Sequence, residues 1–510
     1  MNGIIGVDVG TTGCRACIFN IEGVLISSAS LEYPLYTPKP FLAEQNPEEI
    51  YSSVVAVIKS AVDQFSASGN NILAITLSTV FHSLILVDKD CNPLYPMLTW
   101  ADLRSIKYSE YINSHYDASE IYNKTGCPIH PMYPLSKILW FRYEMPDIFF
   151  KTAKFISIKE YIIHKIFNKY IVDKSIASGT GFYNLKELKW DDKLLDLLRI
   201  NNHQLSEVVS TTYIEYKINK IEANKMNISP EIPVVIGAGD GVLSAVGTGA
   251  VNAGQAVATI GTSGAVRVLV KSPQVDKKAR TWCYNLTDEF WVLGGAINNG
   301  GIILRWLRDN FFPCEQFIAK KLHIDVYDMM TNYAANVSAG SDGLIMLPYF
   351  AGERSPYWNA NARGVLFGLN LNHDKTHIAR ATIEGITYRM YSIFSALEDV
   401  TGDINDIRVS GSFIRSRLWL QIMSDVFGKT ITVPDQTEGA AYGAVILGIY
   451  ALGLTKDIKE YANKIKIKDR YFPLKENHQK YKQFYSIYEH IYWKLQKEFE
   501  EIAKIQRTSD

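Results

Sequence analysis

Two short stretches carry residues suited to phosphate chemistry. Val7 to Gly13 reads VDVGTTG, and Thr259 to Gly264 reads TIGTSG. Each runs an apolar strand pattern into a Gly-hydroxyl-hydroxyl-Gly turn. Glycine leaves backbone N–H groups uncovered, and the hydroxyls of Thr11, Thr12, Thr262 and Ser263 add donors for phosphate oxygens. One such turn is ordinary hairpin chemistry. Two of them, with Gly10 and Gly261 about half the chain apart, point to two halves that hold two parts of one polyphosphate. Only the first copy has a carboxylate: Asp8 lies two residues before Gly10, where the second copy has Thr259. Mg²⁺ takes one or two carboxylates together with waters and substrate phosphates, so Asp8 is the candidate metal residue.

Asp240 follows the apolar stretch Ile232–Ile236 and the turn GAG. It reads as a helix N-cap or as a general base at the carboxyl end of a strand, where α/β proteins bind ligands. Gly239 and Gly241 on either side would let a substrate approach closely. The segment TWADLRS sets Trp100, Asp102 and Arg104 at alternate positions. In an extended segment all three face one way, giving an aromatic wall, a hydroxyl acceptor and a guanidinium that suit a polyol acid. Arg104 would pair bidentately with a carboxylate, or close an ion pair with Asp102. Two look-alikes fail. Gly428-Lys429-Thr430 has Met423 where a Walker loop needs its first glycine, and GAGDGV has Val242 where a dinucleotide fingerprint needs its third.

These residues need strands and helices to place them. Strands are predicted at Ile4–Val9, Cys14–Phe19, Gly23–Ser28, Asn71–Ser78 and Leu84–Val87, and again at Ala256–Ile260, Ala265–Val270 and Phe290–Leu293. Helices are predicted at Glu48–Ser66, Lys137–Glu144, Ile158–Phe167, Lys375–Val400 and Arg417–Phe427. Tyr481, Tyr485, Tyr488, Tyr492 and Leu495 form a packing stripe on a helix over Asn477–Phe499. Cys14 and Cys17 form a CxxC, but three residues apart on a strand they face opposite ways and do not share a metal. The 510 residues carry 53 basic and 53 acidic side chains, which argues against broad binding to nucleic acid or an anionic membrane. The apolar run Ala440–Leu454 is shorter than the roughly 20 residues of a membrane span. The opening MNGIIGVDVG reads as a strand with no export signal, so a cytoplasmic protein with reduced thiols is expected.

Together GVDVGTTGCRACIF, IGAGDG, ATIGTSG, SGSFIRSRLWLQIMSDVFG and GVLFGLNLNHDKTHIARATIEG resemble the FGGY carbohydrate kinases, over about Ile4 to Leu454. The resemblance implies an α/β fold: two ribonuclease-H-like domains of the actin and hexokinase type around a catalytic cleft. Residues 1–245 would carry the acceptor, metal and phosphate side, 246–455 the ATP side, and 456–510 a helical tail. By position, Asp8 matches the metal-side aspartate, and Gly10, Thr11 and Thr12 the first phosphate loop. Arg15 matches a basic residue near the transferred phosphoryl. Gly261, Thr262 and Ser263 match the second phosphate loop, and Asp240 the catalytic base. Gly411 and Ser412 fall in the adenosine motif, where SGS departs from a usually richer glycine pattern. His82 belongs to the family's acceptor side.

Within the family, FHSLILVD, LTWADLRS and SIASGTGFYNLKELKWD look like the gluconate kinases. The expected substrates are therefore ATP and a small sugar acid, with Mg²⁺. His82, Trp100, Asp102, Arg104 and Asp240 are the acceptor candidates. A kinase of xylulose or another polyol is the nearest alternative, and an actin- or chaperone-like ATPase is the rival from another class. No nucleic-acid or membrane partner is expected, and a homodimer is left open.

Overall fold

The computed structural model describes residues 2–39, 41–66, 70–436 and 438–508. The chain opens as a meander of β1 (Asn2–Val9), β2 (Gly13–Asn20) and β3 (Leu25–Glu32). The third strand starts later than its sequence pattern suggests, because Gly23 (φ +85°) closes a turn back onto Asn20. Helix α1 (Pro47–Ser66) leads to β4 (Asn71–Thr79), which pairs parallel to β1. After a long insertion, β5 (Ile214–Glu215) and β6 (Val234–Gly239) complete a sheet of order β5-β6-β4-β1-β2-β3. β6 runs through its glycines to Gly239, so helix α2 (Asp240–Gly247) begins at Asp240 itself.

The second half repeats this plan. Strands β7 (Gln255–Ile260), β8 (Gly264–Val270), β9 (Trp282–Asn285), β10 (Trp291–Ile297), β11 (Asp406–Ser410), β12 (Thr430–Pro434) and β13 (Ile467–Tyr471) form one sheet, ordered β9-β10-β8-β7-β11-β12-β13. Without β9, its order and strand senses match the first sheet strand for strand. Helix α3 (Lys375–Thr401) occupies the place of α1, and α4 (Gly439–Ala451) the place of α2. The tail predicted as one helix breaks near Leu495 into α5 (Lys475–Lys494) and α6 (Gln496–Thr508), and its buried tyrosines pack on the second half. Residues 509 and 510 of that tail lie outside the described residues. Cys14 and Cys17 are both buried and join different core clusters on the two faces of the first sheet. Among the described residues no helix is long and apolar enough to cross a membrane. The Ala440–Leu454 run lies mostly in α4, buried on nearly every side.

The halves join where α2 crosses α4 with backbone against backbone. A Cβ on Gly247 would lie 1.7 Å from the Gly439 carbonyl oxygen, and one on Gly443 would lie 2.0 Å from that of Leu243. α4 also presses on β1, where a Cβ on Gly6 would come within 2.2 Å of the Ala441 oxygen. Side chains do not fit here, so Gly247→Ala is expected to force the helices apart and cost about 1–3 kcal/mol as overpacking. Denaturant unfolding measures this, and an unchanged midpoint would mean that the crossing is not tight.

Candidate active site

Both hydroxyl turns face the cleft between the halves. In the first, Gly10 N–H donates to the Gly13 carbonyl at 2.9 Å, and Tyr33 Oη braces the Gly10 carbonyl from behind at 2.6 Å. In the second, Gly261 N–H donates to Ser263 O at 2.9 Å, and Gly301 N–H, at the start of helix Gly301–Phe311, donates to Gly261 O at 2.7 Å. A Cβ on Gly261 would meet nothing within 4 Å, so this backbone is open to a ligand. An open backbone beside a helix start favours an anion.

Asp8 and Asp240 stand at the ends of β1 and β6, separated by the end of β4. Ser78 Oγ donates to Asp8 Oδ1 at 2.7 Å. Burial, and then the charge of Asp240, push the Asp8 carboxyl up to about 7. Asp240 is also raised, first by burial, with Arg267 as the leading opposing charge. Its N-cap is Gly239, which removes the cap alternative: Asp240 is the first helical residue, and its Oδ1 accepts from Gly241 N–H at 2.6 Å. Gly241 lines the cavity over Asp240, and both flanking glycines also sit against neighbouring side chains. A Cβ on Gly239 would strike the Phe81 ring at 2.0 Å, and one on Gly241 would meet the Arg267 guanidinium at 3.2 Å.

Two cavities meet at Gly261. One, of about 240 Å³, lies over Asp240 and is lined by Thr11, His82, Trp100, Tyr284, Arg267 and Arg354 among others. The other, of about 300 Å³, is lined by Thr262, Tyr327, Ser412, Phe413 and Trp419. Gly411 turns the chain into it at φ +99°, where a Cβ would hit the Ile260 oxygen at 2.3 Å. The first cavity touches both turns and the carboxylate, and the second holds aromatic rings suited to a base.

Of the acceptor candidates, His82 and Trp100 line the first cavity; Asp102 and Arg104 do not. Residues 100–101 form a turn rather than a strand, so the alternation that would have aligned all three does not apply. Trp100 Nε1 donates to Thr11 Oγ1 at 2.8 Å. Asp102 is fully buried and accepts from Ala43 N–H at 2.8 Å. Arg104 closes the ion pair, donating through Nε and Nη2 to the two Asp102 oxygens, both at 2.8 Å, and through Nη2 to Glu44 Oε1 at 2.6 Å. Its Nη1 donates to Tyr95 Oη at 3.0 Å, so the fork is spent within the protein. His82 Nδ1 lies 2.7 Å from the Gly179 carbonyl, and burial pushes the imidazole down to about 3, so the ring is neutral with Nε2 directed toward Tyr284. Lys137 ties this wall together, donating to the carbonyls of His82, Thr99 and Met132 at 3.0, 2.6 and 2.8 Å. Arg15 lies outside both cavities and bridges the halves through an ion pair with Glu438, at the start of α4.

Arg267 and Arg354 were not picked out from sequence. Arg267 had a signal, a lone charge in the apolar strand AVRVLV; Arg354 sits in a loop with no periodic pattern.

A duplicated sheet, each copy bearing a hydroxyl turn, around a cleft with two half-buried carboxylates, defines an ATP-dependent phosphotransferase of the actin and hexokinase fold. The N-terminal domain model of the FGGY family of carbohydrate kinases matches residues 3–247, and its C-terminal domain model residues 256–452. The chain belongs to this family. It is 43% identical over 505 residues to a gluconokinase of Bacillus subtilis (strain 168), covering 99% of this chain and 98% of the relative. Two solved structures from Lactobacillus acidophilus are each 34% identical to it. A ligand-bound xylulose kinase has a TM-score of 0.91, covering 98% of this chain and 100% of that one. A gluconate kinase has a TM-score of 0.89, covering 97% and 98%.

Proposed function

We propose that this protein is an ATP-dependent gluconate kinase, transferring the γ-phosphoryl group to the terminal hydroxyl and forming 6-phosphogluconate. The observation that carries the reading is the meeting of the two cavities at Gly261, beside Asp240. An acceptor in one and ATP in the other bring hydroxyl and γ-phosphoryl together at the carboxylate. The gluconokinase relative supports the acceptor, and so do two arginines in the acceptor cavity, which neutral xylulose does not call for.

Asp240 takes the proton of the attacking hydroxyl, and its raised affinity for protons suits that role. The two turns hold phosphate oxygens through N–H groups and hydroxyls that are already oriented. Neutral His82 offers Nε2 as an acceptor to a substrate hydroxyl. Trp100, held by Thr11, links the acceptor wall to the first phosphate turn. The Asp8 carboxylate fits Mg²⁺: it stands beside Asp240, accepts from the Ser78 hydroxyl, and the repulsion between the two carboxylates is one that a cation would relieve. Mg²⁺ supplies charge neutralisation on the phosphates. The six cysteines are all free, which fits a reducing cytoplasm.

An acceptor panel tests the assignment. Gluconate is expected to exceed xylulose, xylitol and glycerol in kcat/KM, the ratio that measures discrimination. A preference for xylulose would move the protein to the sister activity.

A further inference from the structure

The acceptor cavity holds more positive charge than phosphoryl transfer explains. Arg267 on β8 and Arg354 in the loop after Glu353 both come from the second half and both line it. Among the cavity's lining residues Asp240 is the only carboxylate. Arg267 faces it across Gly241 and donates weakly to Thr259 Oγ1 at 3.3 Å. Arg354 lies over the Trp100 ring at 4.4 Å and donates through Nη2 to the Ile297 carbonyl at 2.8 Å. Each keeps a buried Nε with no hydrogen-bond partner among the described residues. Glu353, next in sequence to Arg354, does not supply one. Its carboxylate accepts from the backbone N–H groups of Asn298 and Arg354, at 2.7 and 2.9 Å, and from Arg389 Nε at 3.3 Å.

Two guanidiniums with unspent buried donors in one cavity favour an anion there. Burial, reinforced by Arg267, pushes Arg354 down to about 10 despite the opposing charge of Glu353. Arg267 is lowered by burial too, and Asp240 is its counter-charge. Among the cavity's lining residues one carboxylate faces two arginines, and an acceptor anion would add a second negative unit. An aldonic acid carries that unit at the end opposite the hydroxyl it presents for phosphorylation.

Resting on the gluconate reading above, we infer that Arg267 and Arg354 form the subsite for the acceptor's carboxylate, so that the second half reads the acid while the first half supplies the base. A planar fork suits a carboxylate where an ammonium does not. The acid is then gripped by the half that also carries the adenosine-side cavity, and acceptor recognition depends on both halves together.

The test compares gluconate with D-glucitol, which has a neutral alcohol in place of the carboxylate. The quantity read is the ratio of their kcat/KM values in the wild type, Arg267→Met, Arg354→Met and the two Lys variants, with ATP binding and thermal unfolding confirming a folded enzyme. The Met variants are expected to lower the ratio about ten- to a hundredfold, the loss of a charge-assisted contact, and the Lys variants to fall between. A collapse in either arginine supports the subsite and assigns the stronger contact. A ratio retained in both Met variants overturns it, and so does an equal loss on both acceptors with a raised KM for ATP, which would give the arginines to phosphate. A wild type that does not favour gluconate fails the function reading instead, and that arm is measured first.

Discussion

Asp240→Asn is expected to lose about 10²–10⁴-fold in kcat, the usual contribution of a general base, while the fold and ATP binding persist. The asparagine keeps the size of the side chain and can still accept from Gly241 N–H, so α2 starts as before. It cannot take the hydroxyl proton. Removing a buried charge also leaves Arg267 without its main counter-ion, so Kd for gluconate is expected to hold or tighten as turnover falls. Single-turnover kinetics separates the two. Near-normal phosphoryl transfer in this variant would reduce Asp240 to a packing residue.

The second large effect is at Asp8. Asp8→Asn is expected to depress turnover by about a hundredfold or more when Mg²⁺ is limiting, since metal stabilisation of transferring phosphate is worth several kcal/mol. Excess Mg²⁺ is expected to restore part of it. The pH dependence has a definite sign. Asp8 holds its proton up to about 7 instead of the ordinary 3.8, and a cation must displace that proton. Mg²⁺ affinity in the wild type therefore rises with pH through about 7, and the asparagine variant loses that rise. The folded state binds the proton more tightly than the unfolded chain. Without the cation, this group's contribution to stability is present below 3.8 and lost as pH rises to about 7. A Mg²⁺ dependence identical in wild type and variant would remove Asp8 from the site.

The features legible in the sequence are those written in consecutive residues. The strand-turn-strand repeats, Asp8, Asp240 and Gly261 each follow from a local pattern, Gly411 from the family resemblance, and the structure places them around one cleft. The acceptor wall depends on contacts between distant segments. Alternation along TWADLRS assumed an extended backbone; a turn there sent Arg104 into the protein toward Asp102 and Glu44. The second-half arginines enter the cavity only because β8 and the Arg354 loop fold over the first half, which no window of sequence displays. The role of the α4 glycines against α2 is likewise a long-range fact.

The contact between α2 and α4 has a mechanical consequence. Two rods that touch along their backbones act as an axle: they can roll, but any separation opens a void where no side chain is available to fill it. Asp240 lies within one turn of Leu243, close to the crossing, so a roll of the halves about it would displace this residue least. The rings of Phe413 and Tyr327 sit out along the lever arm. Opening of such an assembly is expected to be a swing of the nucleotide end about the α2–α4 crossing. Such a swing would carry the second-half arginines away from Asp240 together with the nucleotide cavity.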